Sequence, residues 1–272
     1  MSNRSPSCII LSVSSDIGIA LATSWLRQGF RVSGTFRTLT PAVEELTTAG
    51  LRTIPMDLME FSSVRAAAEE LSDEPWSRLV LAAGSQEPVG LFDVVDPEEW
   101  GRSIESNFVR QFQFLALMLP FRSRNLLEQP KVLSFAGGAT NRATTHYSAY
   151  TVSKIASIKM TELLAAEYLD VAFSILGPGW VKTKIHEATV EAGAMAGKNF
   201  HETIRHLKEN DFFPMDRVVD AVNWIMNAPP EAVSGRNFSA VHDPWGSDSL
   251  IRALLDDEDM YKLRRAGNDR FE

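Results

Sequence analysis

From residue 7 to residue 241, short apolar runs alternate with stretches of helical period, and this alternation leaves the chain few architectures to choose from. Residues 7–13, 30–36, 51–56, 78–83, 131–135, 171–176 and 235–241 read as strands. After the first of them Ile19, Ala20, Leu21, Trp25 and Leu26 recur at helical spacing. Residues 42–49, 63–71, 148–168 and 216–226 are also helical, and residues 98–119 form a long helix stopped by Pro120. Strands and helices spaced in this way imply an α/β fold, a parallel sheet with helices on both faces. No Gly/Ser or Pro-rich linker, low-complexity block or internal repeat divides the chain, so residues 1–272 are read as one domain.

In such sheets ligands bind outside the carboxyl ends of the strands, and every unusual loop falls at one of those ends. They are Ser14-Ser15-Asp16-Ile17-Gly18, Arg37 at the close of the second strand, Asp57-Leu58, Ala82-Ala83-Gly84, Ala136-Gly137-Gly138-Ala139-Thr140 and Gly177-Pro178-Gly179-Trp180-Val181-Lys182-Thr183. The helix after the fifth strand carries Tyr150 and Lys154 four residues apart, so their heads can meet on one face. A free phenol titrates near ~10, and a proton donor working near neutrality needs that lowered by about three units. One positive charge at roughly 5 Å and an effective dielectric of about 20 favours the phenolate by about 3 kcal/mol. Lys154 is therefore expected to lower the pKa of Tyr150. Alone the pair is a weak signal; its surroundings carry the case.

Composition removes other function classes. The chain is 44% hydrophobic and 23% charged, with a formal net charge of -8 and basic residues scattered among acidic ones, which argues against nucleic acid as a partner. No apolar segment reaches the 18 or more residues of a membrane span, and residues 1–6 are polar rather than a secretory signal, so a cytoplasmic setting is the default expectation. Cys8, the single cysteine, sits in an apolar run and reads as a core residue. No His/Asp/Glu group has ligand spacing, so no metal is expected. His146, His186, His201, His206 and His242 are scattered and read as structural or surface residues, with His186 the candidate substrate contact.

Tyr150-x-x-x-Lys154 followed by Pro178-Gly179-Trp180-Val181-Lys182-Thr183 at this separation resembles the short-chain dehydrogenase/reductase family, along residues 7–245. The resemblance implies a Rossmann-like, doubly wound sheet of about seven strands in three α/β/α layers, and an oxidoreductase acting on a carbonyl or alcohol. Tyr150 would be the acid/base and Lys154 would hold the nicotinamide ribose. Asn107 would serve a water-linked proton path. Pro178, Gly179, Val181 and Thr183 would hold the carboxamide, and Asp57 with Leu58 would contact adenine. Asp57 also reads as a helix cap or turn residue.

Three departures stand beside the resemblance. Residues 10–18 match the family's glycine-rich turn, but Ser12 and Asp16 replace its first two glycines and only Gly18 remains, with Ser14, Ser15 and Ile17 between. Asp16 near two phosphates would cost about 2 kcal/mol at roughly 8 Å. That cost is avoided if Asp16 turns back to cap the helix, and Asp tolerates positive φ. Ala82-Ala83-Gly84 stands where the family has Asn-Ala-Gly. At the position of the family's catalytic serine the chain has Gly137; Ser134 lies three residues early and Thr140 three late, and Ser134 is taken as the substitute.

Coenzyme choice follows from charge. No acid closes the second strand and Arg37 does, which favours NADP(H) over NAD(H). Two other functions stay open: a dinucleotide-binding sensor or assembly protein without useful catalysis, and a reductase modifying a sugar nucleotide. Residues 184–215 are read as a substrate flap or a solvated insertion, and residues 247–272 as a charged amphipathic tail, a surface helix or subunit contact. Trp180, Met195 and Trp245 fit either a partly apolar pocket or the core. The helix bearing Tyr150 is expected to lay Ala149, Ser153, Ala156, Met160 and Leu163 on the sheet, leaving Ile155 and Ile158 free. The preceding long helix has Phe108, Phe112, Phe114, Leu115 and Met118, more than one face needs, so a homodimer or homotetramer is expected.

Overall fold

The computed structural model describes residues 6–125 and 128–267. Seven strands form where the apolar runs predict them: β1 (Ser7–Leu11), β2 (Arg31–Phe36), β3 (Arg52–Pro55), β4 (Arg78–Leu81), β5 (Lys131–Phe135), β6 (Ala172–Gly177) and β7 (Arg236–Ser239). They lie in the order β3-β2-β1-β4-β5-β6-β7, parallel throughout. β1, β4 and β5 are buried at every residue, which is why they read as largely unbroken runs rather than alternating ones. The order reverses between β1 and β4. That reversal opens a crevice beyond their carboxyl ends.

The helices are α1 (Asp16–Arg27), α2 (Pro41–Thr48), α3 (Phe61–Leu71), α4 (Pro97–Ile104), α5 (Arg110–Met118), α6 (Ser148–Glu167), α7 (Glu187–Ala192), α8 (Lys198–Glu209), α9 (Met215–Asn227), α10 (Pro230–Val233) and α11 (Asp248–Asp256). Leu21 and Trp25 of α1, Leu46 of α2, Val222 and Ile225 of α9 and Leu254 of α11 fill the core on one face of the sheet. Val64 and Leu71 of α3, Phe114 and Met118 of α5 and Leu164 of α6 fill the other. Cys8 is buried in the first of these cores, and burial pushes its thiol up to about 12. Among the described residues no helix is long and apolar enough to cross a membrane.

Three expectations need correction, and residues 190–210 add a detail: α7, a 3-10 turn at Gly193–Ala196 and α8 are separated by Gly193 (φ 52) and Gly197 (φ 58), whose left-handed backbone breaks any helical period there. The helix expected over residues 98–119 is interrupted by a π-helical turn, Glu105–Val109, between α4 and α5. The tail is more than a surface appendage, since Leu250 and Leu254 of α11 lie in the core. Lastly, α6 buries Ala149, Tyr150, Ser153, Lys154, Ser157, Ile158, Thr161 and Leu164, and Met160 packs on the core, while Leu163 is 48% exposed. The expected stripe holds at Ala149, Ser153 and Met160 and fails at Leu163, and Ile158 is buried rather than free. The hydroxyls of Ser153, Ser157 and Thr161 donate to the carbonyls of Tyr150, Ser153 and Ser157, so they enter the interior satisfied.

Candidate active site

The chain leaves β1 through Ser12, whose backbone is left-handed at φ 62. Its amide donates to Thr35 Oγ1 at 3.0 Å and the Val13 amide to the Thr35 carbonyl at 2.8 Å, which fastens the turn to β2. Ser15 caps α1, its hydroxyl accepting from the Gly18 amide at 3.1 Å. A Cβ on Gly18 would come within 2.7 Å of the Ser12 carbonyl oxygen, so this third position must stay bare for the helix to approach the turn. Asp16 does not cap the helix, and the left-handed residue is Ser12 rather than Asp16. Ser15 has already taken the cap, and Asp16 instead accepts a hydrogen bond on Oδ2 from the Lys184 amide at 2.9 Å.

Beyond the ends of β1 to β4 lies a cleft of about 320 Å³. Ser12 and Ser14 line it beside β1, Arg37 beside β2, Asp57 and Leu58 beside β3, Ala83 and Gly84 beside β4, and Lys184 reaches it from the loop after β6. Arg37 is exposed on this wall and no acid closes β2. Asp57 lines the cleft and also fixes its own turn: its carboxylate accepts from the Met59 amide at 2.9 Å and its amide donates to the Ser63 hydroxyl at 3.0 Å. The amides of Asp16 and Ile17, in the first turn of α1, have no partner within the helix.

α6 holds Tyr150 and Lys154 buried behind the loop after β4, neither lining the cleft itself, and the Lys154 ammonium stands 5.6 Å from the centre of the Tyr150 ring. Asn107 comes from the π-helical turn, a device that re-aims a helical side chain. Its Oδ1 accepts from the Ser85 amide and its Nδ2 donates to the Ser85 carbonyl, both at 2.9 Å, with a further bond to Ser103 Oγ at 3.2 Å. The loop after β4 is thereby clamped. A Cβ on Gly84 would sit 3.7 Å from Lys154 Nζ and 3.8 Å from both Asn107 Oδ1 and Ile185 Cδ1. Three separate elements thus converge on one bare stretch of backbone. Gly84, the lysine and the first-turn amides of α1 supply a bare backbone, a cation and donors left unused by the helix, a set that suits the phosphates and ribose of a dinucleotide.

Gly137 lies against the tyrosine itself. A Cβ there would be 2.7 Å from Tyr150 Cε1 and 2.9 Å from its hydroxyl oxygen. Tyr150 therefore fills the space that a side chain at 137 would need. Ser134 stands inside β5, buried, with a hydroxyl that has no hydrogen-bond partner. The Thr140 hydroxyl is spent on the Gly137 carbonyl at 3.0 Å.

Electrostatics reverse one expectation. Burial pushes the Tyr150 phenol up to about 12 and holds Lys154 down to about 8. Desolvation is the cause in both, so the phenol stays protonated at neutral pH. That is the state a proton donor needs.

The turn after β6 is held by Gly179, left-handed at φ 81, where a Cβ would strike Val241 Cγ2 at 2.3 Å. Thr183 ends the turn with its hydroxyl donating back to the Val181 carbonyl at 3.4 Å. Trp180 is sandwiched between His186 (ring centres 5.0 Å apart) and His206 (4.4 Å). His186 is buried and pairs through Nε2 with the Val181 carbonyl at 2.8 Å; it locks the turn rather than facing a substrate. Trp245 packs on the core, donating to the Ala240 carbonyl at 2.8 Å beneath the Arg217 guanidinium.

Several participants escape a reading of the sequence. Tyr147 and Tyr150 share an apolar cluster with Val89 and Ala196, packed against Ile185 and Phe200, so α7 and α8 close over the tyrosine. Tyr147 bonds Thr189 at 2.7 Å, and Thr189 donates to Gln86 Oε1 at 3.0 Å, tying α7 to the loop after β4. Tyr147 is adjacent to a known motif and could have been flagged. Thr189, Gln86 and Lys184 have no local signature, because only folding brings them to the crevice.

Comparison with known proteins agrees with this fold. The family model of short chain dehydrogenases matches residues 7–193. An uncharacterised oxidoreductase of Schizosaccharomyces pombe is 26% identical over 179 residues, 64% of this chain and 71% of that protein. Among solved structures, a short chain dehydrogenase/reductase from Saccharomyces cerevisiae is similar at a TM-score of 0.77 with 20% identity, covering 92% of this chain and 98% of that one. A variant of the actinorhodin polyketide ketoreductase solved with NADPH is similar at a TM-score of 0.75 with 19% identity, covering 86% and 95%.

Proposed function

This chain belongs to the short-chain dehydrogenase family, and we propose that it is an NADP(H)-preferring oxidoreductase interconverting a carbonyl and a secondary alcohol on Tyr150. The observation that supports this most directly is the meeting of Lys154 and Asn107 at the bare backbone of Gly84, with the Lys154 ammonium 5.6 Å from the centre of the Tyr150 ring. When bound, the nicotinamide supplies or accepts the hydride. The chain's own residues do the rest.

In the reducing direction the Tyr150 hydroxyl gives its proton to the carbonyl oxygen, and burial keeps that proton in place at neutral pH. Lys154, mainly charged at pH 7 with a pKa near 8, stabilises the phenolate left behind and holds the nicotinamide ribose hydroxyls. Asn107 fixes the loop after β4 through both backbone groups of Ser85 and keeps Gly84 at the ring. The flap formed by α7 and α8 excludes water from Tyr150. Arg37, with no acid beside it at the end of β2, supports the preference for a 2'-phosphate. A small carbonyl or alcohol is the partner this site suits.

Tyr150→Phe tests the assignment. Carbonyl-dependent oxidation of NADPH should fall by at least about 10³-fold with circular dichroism unchanged; undiminished turnover removes Tyr150 from the chemistry. Gly137 favours a second reading, a binder without useful catalysis, because no serine hydroxyl stands beside the tyrosine. Tight cofactor binding with no turnover across a broad carbonyl and alcohol panel would establish that one.

A further inference from the structure

The loss of two glycines from the phosphate turn has a counterpart on the opposite side of the cleft. Asp16 stands at the first position of α1, where a carboxylate facing a pyrophosphate would repel it. Its Oδ2 is instead engaged by the Lys184 amide at 2.9 Å, across 168 residues of sequence. That bond joins the turn after β1 to the loop after β6, the two loops between which a dinucleotide runs from its phosphates to its nicotinamide. The same contact fixes the backbone of an exposed lysine that lines the cleft: Lys184 shares that wall with Ser12, Ser14 and Arg37.

We propose that Asp16 and Lys184 form a clasp across the cleft, in which Asp16 is a positioning residue and the Lys184 ammonium binds the phosphates of the dinucleotide. The proposal rests on the reading of this cleft as a nicotinamide-dinucleotide site and adds to it a cation outside the glycine-rich turn. Charge balance gives it a physical basis. A chain that puts a carboxylate at the phosphate end needs a compensating cation there, and an amide donor that turns the carboxylate away from the anion. One contact supplies both. Exposure of Lys184 in the open cleft keeps its ammonium free to move onto a phosphate, and limits its effect to a modest factor.

The test is equilibrium binding of NADPH and NADH to the full chain, followed by intrinsic tryptophan fluorescence and repeated at two salt concentrations. Lys184→Gln should weaken both cofactors about fivefold and flatten the salt dependence. Asp16→Asn and Asp16→Ala remove the same charge, but only the asparagine retains an oxygen for the Lys184 amide. The clasp predicts that Asp16→Asn binds at least as tightly as the wild type and that Asp16→Ala binds several-fold more weakly than Asp16→Asn. Equal tightening in both would show Asp16 to be a mere repeller and overturn the clasp, as would unchanged binding by Lys184→Gln. Either result leaves the dinucleotide site standing when the wild type binds. A wild type that binds neither cofactor takes down the site and the clasp together.

Discussion

At the scale of single residues, the most informative position is Gly137. A resemblance between sequences marks it as a missing serine; the geometry makes it a place where no side chain fits. Its Cβ would press on Tyr150 at 2.7 to 3.0 Å, against a ring that is itself buried and cannot swing away cheaply. Restoring the family serine by Gly137→Ser should therefore lower kcat at least about tenfold and destabilise the fold by about 1–3 kcal/mol. Gly137→Ala should do nearly the same, because the obstacle is Cβ and not the hydroxyl. Steady-state kinetics and urea titration of both variants check this, and a rise in kcat for the serine alone would show that the hydroxyl is accommodated. Ser12 carries the complementary lesson. A serine holds φ 62 there with its amide bonded to Thr35, so the left-handed backbone that the first lost glycine would have allowed is kept by a bond to β2.

At the scale of elements, α6 shows how function overrides pattern. Its inward face carries a tyrosine, a lysine and three hydroxyls, so apolar periodicity traced only part of that face, whereas the hydroxyls of Ser153, Ser157 and Thr161 are satisfied by the helix's own backbone. The π-helical turn before α5 was hidden for a related reason. Composition does not register one extra residue in a turn, yet that residue aims Asn107 at Ser85. The outward face of α6 leaves Val152 and Leu163 half exposed, at 50% and 48%. Phe108 of the π-helical turn and Phe112 of α5, their ring centres 5.0 Å apart and tilted, are only partly buried. Covering these residues with a second copy would remove apolar surface from water, so the chain should be a dimer or tetramer. Light scattering at micromolar concentration checks this: a monomeric mass counts against it, and Val152→Glu with Leu163→Glu should shift an oligomer toward monomer.

For the molecule as a whole, the site is a cost borne by the rest of the fold. Lys154 titrates at about 8 when folded and at 10.5 in its reference state, so burying its charge costs about 3 kcal/mol below pH 8. Between these two values the unfolded chain holds a proton that the folded chain has released, and stability rises with pH across that window. Lys154→Met should accordingly be more stable than the wild type by about 3 kcal/mol at pH 7, with more than half of that advantage gone by pH 9.5. Urea unfolding at the two pH values measures it, and a pH-independent difference would mean that the lysine is not buried as a cation. The seven strands, their parallel arrangement and the loops at their carboxyl ends were legible in the sequence, because hydrophobic period and turn chemistry are local properties of the chain. So was the pairing of Tyr150 with Lys154, since four residues of helix always bring two heads together. What the sequence could not supply was everything set by contacts between distant segments: the Asp16 bond to Lys184, the Tyr147–Thr189–Gln86 tie and the crowding at Gly137. Nor could it supply the direction of the Tyr150 shift. Desolvation depends on what surrounds a group in three dimensions, and packing rather than spacing sets that environment.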